Sequence, residues 1–158
     1  RSINIERDSD SLSIINSYIP TNRTLSTLKQ ISLSIFEEGK PKAWSLIGPY
    51  GSGKSAFAIC LSSLLADPKS ENSKTILKIL NQSDQKLVKD IKKKKKDFNG
   101  FLTLTITGSP EPLINRLLEE LIDKSKIIWT GNKGRTPKFI EKLNDFSNSE
   151  MDLPLQNL

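Results

Sequence analysis

Apolar residues recur at helical spacing along much of the chain, and polar stretches divide it into short elements. In "PTNRTLSTLKQISLSIFEEGK", Leu25, Leu28, Ile31, Ile35 and Phe36 fall three and four apart, the stripe of an amphipathic helix. Thr21 or Asn22 suits its N-cap and Gly39 its stop. "KAWSLIG" is a short apolar run ending in glycine, which predicts a buried strand feeding the loop that follows. "SAFAICLSSLLA" is apolar on nearly every side, the pattern of a helix packed against a sheet. The text from Asp67 to Asn99 turns polar, with helical periodicity at Ile76, Leu77 and Leu80. "FLTLTITG" is rich in β-branched residues and closed by Gly108, which predicts a second strand.

The remaining apolar positions predict helices. "SPEPLINRLLEELIDKS" repeats Leu113, Leu117, Leu121 and Ile114, Leu118, Ile122, with Ser109 as cap and proline in the first turn. "KIIWTG" fits no single element. "TPKFIEKLNDFSNS" starts with a Thr cap and Pro137, and its apolar face is Phe139, Ile140, Leu143 and Phe146. The opening "RSINIERDSDSLSIINSYIP" is polar with scattered Ile and reads as an irregular linker. Strands alternating with helices predict an α/β fold, a parallel sheet flanked by helices and incomplete in this chain. Residues 1–38 read as a linker and lead-in helix, and residues 39–158 as the N-terminal part of a nucleotide-binding domain.

"GPYGSGKS" carries the clearest chemistry. Gly48, Gly53, Lys54 and Ser55 match G-x-x-x-x-G-K-[ST], with Gly51 as a further glycine inside the loop. Glycines let the backbone turn so that successive N–H groups point at phosphate oxygens. A helix starting directly afterwards adds the positive end of its dipole. The candidate nucleotide-binding set is Gly48, Pro49, Tyr50, Gly51, Ser52, Gly53, Lys54, Ser55 and Ala56. Lys54 is the candidate catalytic residue, reaching β and γ phosphates, and the Ser55 hydroxyl is the candidate Mg²⁺ ligand.

At these residues the chain resembles the P-loop NTPases. "AWSLIGPYGSGKSAFAICLSSLL" is similar to the ATP-binding segment of AAA+ and STAND-like ATPases, in which a helical lead-in also precedes the first strand. "GFLTLTITGSPEPLINRLLEELI" is similar to the second core strand and following helix of large bacterial ATPases, many tied to phage defence or restriction. The resemblance implies ATP and Mg²⁺ as cofactors. It also implies hydrolysis in the complete protein that drives a conformational change, in a nucleic-acid-related or antiviral defence setting. A nucleotide-gated switch or scaffold with little turnover is the alternative. A small-molecule kinase would need a lid with arginines, and no clustered Arg pair follows the loop.

That family hydrolyses through an acid at the end of a second apolar strand, the Walker B position. "FLTLTITG" ends in Thr107 and Gly108, and "LLEELID" has a helical period. The resemblance therefore places the acidic strand beyond Leu158, in keeping with ends that read as cuts in a larger protein. By the same resemblance Tyr18, Ile19, Thr21 and Arg23 are candidate adenine-side contacts, while Trp44 reads as core.

Composition narrows the rest. There is no His, which removes His-based acid–base catalysis and most zinc sites. Cys60 is the single cysteine, so no internal disulfide can form, and a cytoplasmic setting is expected. No apolar run approaches the ~20 residues of a membrane span, so no membrane partner is expected. The net charge of +6 owes much to Lys92–Lys96, read as a solvated charge run with nucleic acid as a further candidate partner. A homo-oligomer or multi-domain assembly is the expected context. "GNKGR", with Arg135 where guanine-reading motifs need Asp, is read as a Gly-bounded turn.

Overall fold

The structure is a computed structural model that describes residues 3–8, 11–96, 100–129 and 138–151. The chain falls into two compact units, one ending at Thr103 and the other beginning at Leu104. The first holds six helices among its described residues: α1 (Ile5–Asp8), α2 (Leu12–Asn16), α3 (Asn22–Ser34), α4 (Lys54–Leu65), α5 (Glu71–Ser83) and α6 (Gln85–Lys95). The second holds α7 (Leu113–Trp129) and α8 (Lys138–Met151), which pack on each other.

Local chemistry explains where these helices begin. At α3, Thr21 and Thr24 form a reciprocal capping box: the Thr24 N–H donates to Thr21 Oγ1 at 3.3 Å, and the Thr21 N–H to Thr24 Oγ1 at 2.8 Å. Ser70 caps α5 by accepting from the Ser73 N–H at 3.2 Å. Asp84 ends α5 and starts α6, its carboxylate accepting from the Leu87 N–H at 2.8 Å. Helix α3 stops at Ser34, short of Gly39. The Lys42 ammonium gathers carbonyls at that end: that of Ser34, which also accepts from the Glu37 N–H, and those of Ile35 (3.2 Å) and Glu37 (2.6 Å).

The core of the first unit is built from α2 to α6, with α4 at its centre. Ile15 of α2, Leu28 and Ile31 of α3, Ile76 and Leu80 of α5, and Leu87, Val88 and Ile91 of α6 surround Phe57, Ile59, Cys60 and Leu64 of α4. Helices α1, α2, α3 and α5 all touch α4, which accounts for its apolar residues on every side. In the second unit, α7 buries Leu118, Ile122 and Ser125, and Ile140 of α8 is buried too.

The expected α/β fold is not found. Among the described residues there is no β-strand, so no parallel sheet exists for the helices to flank. Neither apolar run read as a strand forms a ladder. Every residue from 41 to 50 is exposed, including Trp44, read above as core, and Ile47 is 91% accessible. Residues 101–108 also lack regular structure. A strand is stable only when its N–H and C=O groups pair with a neighbour. Here the Phe101 N–H goes instead to the Leu65 carbonyl at the end of α4, at 2.9 Å. The all-round apolarity of "SAFAICLSSLLA" fits burial among helices as well as burial against a sheet, and the helices occupy that place.

Two further readings change. The opening segment is not wholly irregular, because it contributes α1 and α2 and places Ile15 in the core. The lysine run is helical through Lys95, and Lys95 is buried, 5% exposed. Leu87, Ile91 and Lys95 lie four apart, so the inward stripe of α6 ends on a lysine. Its ammonium donates to the carbonyls of Leu64 (2.6 Å) and Ala66 (2.8 Å) and lies 3.4 Å from Ser73 Oγ. Lys95 thus closes the C-terminus of α4, a cation at the negative end of a helix. Burial lowers its pKa, and the nearby Asp67 carboxylate opposes that shift.

Cys60 sits in the middle of this core, and burial pushes its thiol up to about 12. A thiol kept neutral in the folded state contributes stability that is fully present below the ordinary thiol range. It is lost as pH rises toward 12, because the unfolded chain ionises first. In native protein at mildly alkaline pH, Cys60 should resist iodoacetamide and react only when the chain is unfolded by denaturant. Rapid alkylation of the folded protein, read by mass spectrometry, would contradict this packing.

Candidate functional site

The loop Gly48–Ser55 leads directly into α4 of the first unit. Gly51 (φ +76°) and Gly53 (φ +82°) are both left-handed, a conformation that costs any residue with a Cβ. A Cβ at either would meet nothing within 4 Å, so the backbone angle sets the requirement and not crowding. At Gly48 the reverse holds: a Cβ would sit 3.1 Å from Ser52 Oγ. The Ser52 N–H closes the turn onto the Pro49 carbonyl at 3.3 Å.

Gly53 occupies the N-cap of α4 and has no side chain to satisfy the first-turn amides. The N–H groups of Lys54, Ser55 and Ala56 lie in that turn, where an α-helix supplies no partner of its own. The helix dipole places its positive end there too. The Lys54 ammonium folds over the loop and donates to the carbonyls of Gly48 (2.9 Å) and Pro49 (2.7 Å), with Ser52 Oγ at 3.3 Å. It is thereby held beside the same turn.

Two clefts meet at the loop. One, of 480 Å³, is lined by Ile3 and by every residue from Tyr50 to Ala56. Its wall includes the Tyr50 ring, 92% exposed. The other, of 370 Å³, runs between the loop and α3, with Arg23, Thr24 and Thr27 facing Ser45–Pro49, Ser52–Lys54 and Phe57. Both lie within the ~300–1,000 Å³ range of small-ligand clefts. Among the described residues no carboxylate lines either of them.

The predicted site residues therefore come together along one turn, Gly48 through Ala56. Of the four candidate adenine-side residues, Arg23 lines the cleft between the loop and α3. Ile19 is exposed to solvent, and the Thr21 side chain is engaged in its capping box. The Tyr18 hydroxyl is buried beside Thr24, and desolvation raises its pKa, an effect that Thr24 partly opposes. Thr24 and Thr27 were not singled out from sequence, although their spacing from Arg23 puts them on the same side of α3. "GNKGR" lies outside the described residues.

Comparison with family models, with curated proteins and with solved structures yields no match. The resemblance to P-loop NTPases is overturned. The loop sequence is present, but the sheet that defines that family is missing among the described residues, and no relative supports the grouping. The AAA+ and STAND assignments lapse with it, as do the ATP-hydrolase and antiviral-defence roles that rested on them. A phosphate-binding loop needs only a turn, a helix N-terminus and a cation, and these do not require a sheet.

Among the described residues no three His, Cys, Asp or Glu side chains cluster as a metal site. The donors at the loop fit phosphate oxygens: amides, an ammonium and hydroxyls, with no competing carboxylate. For Mg²⁺ the loop offers the Ser55 hydroxyl, so the ion would be held mainly by phosphate oxygens and water.

Proposed function

We propose that the Gly48–Ser55 loop binds the phosphates of a nucleoside triphosphate, ATP with Mg²⁺, as a binding site that senses the nucleotide. What carries this reading is the convergence of the α4 first-turn amides and the Lys54 ammonium on one open cleft with no carboxylate among its described lining residues. On binding, the Lys54 ammonium exchanges the Gly48 and Pro49 carbonyls for phosphate oxygens, a charge-assisted contact stronger than the ones it gives up. Ser55 contributes its hydroxyl to Mg²⁺. The base and ribose occupy the cleft toward α3, next to Arg23.

The proposal covers binding and not turnover. Hydrolysis needs a group that positions water, and no described acid lines the loop. A switch or scaffold role agrees better with this lining. A nucleotide-binding chain with a single buried thiol suits a cytoplasmic setting, which belongs to the same proposal. No described helix is long and apolar enough to cross a membrane.

Titration of a fluorescent ATP analogue with Mg²⁺ tests the reading. The wild-type chain should bind saturably, and Lys54→Ala should weaken binding about tenfold or more, the worth of one charged hydrogen-bonding group. Equal affinity in the variant would sink the proposal. Circular dichroism should show the variant folded, since its side chain bonds only within the exposed loop.

A further inference from the structure

Five of the chain's six net positive charges lie in residues 67–97, where ten lysines face five acidic residues. The fold gathers six of these lysines along one surface. Two adjoining clefts, of 270 and 460 Å³, share Pro68, Leu77 and Lys92 and form one furrow across α5 and α6. Lys69, Lys74, Lys78, Lys92 and Lys96 line it and are exposed, with Lys95 at its floor. Asp67 is the one carboxylate among the described lining residues. Lys94, by contrast, meets Glu37 at 3.7 Å, whereas no described ion pair joins any of the five exposed furrow lysines.

We propose that this furrow binds a nucleic-acid phosphodiester backbone, independently of base sequence. Like charges brought together in one concave surface repel each other, and a polyanion that displaces counterions relieves that repulsion. The contacts available are point charges on flexible stems. Among the described lining residues there are no arginine forks suited to base edges and no aromatic rings for stacking, which implies backbone reading rather than sequence reading. A bilayer fits less well. Membrane-surface helices pair their cations with exposed large apolar side chains, and none of the described exposed ones lies between Asp67 and Lys96. Lys95 itself is committed to the Leu64 and Ala66 carbonyls and serves to hold α4 and α6 together under the furrow.

The test is fluorescence anisotropy of a labelled oligonucleotide, single-stranded and duplex, with the full chain at ~50 and ~200 mM salt. Saturable binding is expected to weaken with salt, with a log–log slope of about −3 to −5. The triple variant Lys74→Gln, Lys78→Gln, Lys92→Gln should lose at least about tenfold in affinity and flatten the slope by about 2 to 3. A control triple, Lys40→Gln, Lys138→Gln, Lys142→Gln, has the same charge change outside the furrow and should stay within about twofold of wild type if the furrow carries the binding. Thermal melts check that both variants fold. Equal loss in the control, absence of binding at the lower salt, or binding to phosphatidylserine vesicles in place of the oligonucleotides would each overturn the proposal. Lys54→Ala should bind the oligonucleotides as wild type does, so this result stands or falls apart from the nucleotide reading.

Discussion

Gly100→Ala should destabilise the first unit by about 2–4 kcal/mol, combining left-handed backbone strain with overpacking. Gly100 has φ +103°, a region that residues with a Cβ rarely adopt. Space makes matters worse. A Cβ there would stand 2.5 Å from the Asp67 amide nitrogen and 2.6 and 2.7 Å from the Ala66 carbonyl carbon and oxygen. These are backbone atoms and cannot swing aside. The same Ala66 carbonyl accepts from Lys95, and the next residue, Phe101, donates to Leu65 and packs its ring at a tilt of 59° against Phe36, 5.6 Å between centroids. Pushing the chain away at Gly100 therefore disturbs the seal at the end of α4 as well. Urea unfolding followed by circular dichroism reads the change. A loss under ~0.5 kcal/mol, the size of an ordinary surface substitution, would mean that residue 100 does not press on α4.

Leu80→Ala should cost about 2–5 kcal/mol, while Ile47→Ala should stay within about 0.5 kcal/mol. Leu80 is fully buried on the face of α5 that meets the core, and removing its side chain leaves a cavity among helices. Ile47 is the sharper half of the pair. A buried strand leading into the loop would make it a core residue with a cost like that of Leu80. In the helical fold it is exposed and packs against nothing that its loss would open. Comparable losses for both variants in the same unfolding assay would restore the sheet.

Much of the helical content could be read from the pattern of apolar residues. The stripe of α3, its Thr21 cap, the all-apolar α4 and the long periodic run of α7 are local signals, and a helix forms at each, although α3 stops at Ser34, before Ile35 and Phe36, and α7 begins at Leu113, past its expected Ser109 cap. The sheet could not be judged that way. Whether "KAWSLIG" and "FLTLTITG" become strands depends on finding partners, a non-local condition that a short apolar run does not encode. Burial of Lys95 was legible in principle, because Leu87, Ile91 and Lys95 keep one spacing, but a run of five lysines hides the single inward one. At the loop, Gly48, Gly53 and Lys54 could be read from the motif, with Gly51 as a further glycine inside it. The Arg23, Thr24 and Thr27 wall could not, since it depends on how α3 lies against the loop.

Hydrogen exchange with and without excess Mg·ATP tests the central claim most directly. The account predicts slowed exchange at the amides of residues 51–56, where the loop enters α4, with a smaller effect around Arg23, and loss of both in Lys54→Ala. Unchanged exchange across residues 51–56 while ATP demonstrably binds would place the nucleotide elsewhere and contradict it.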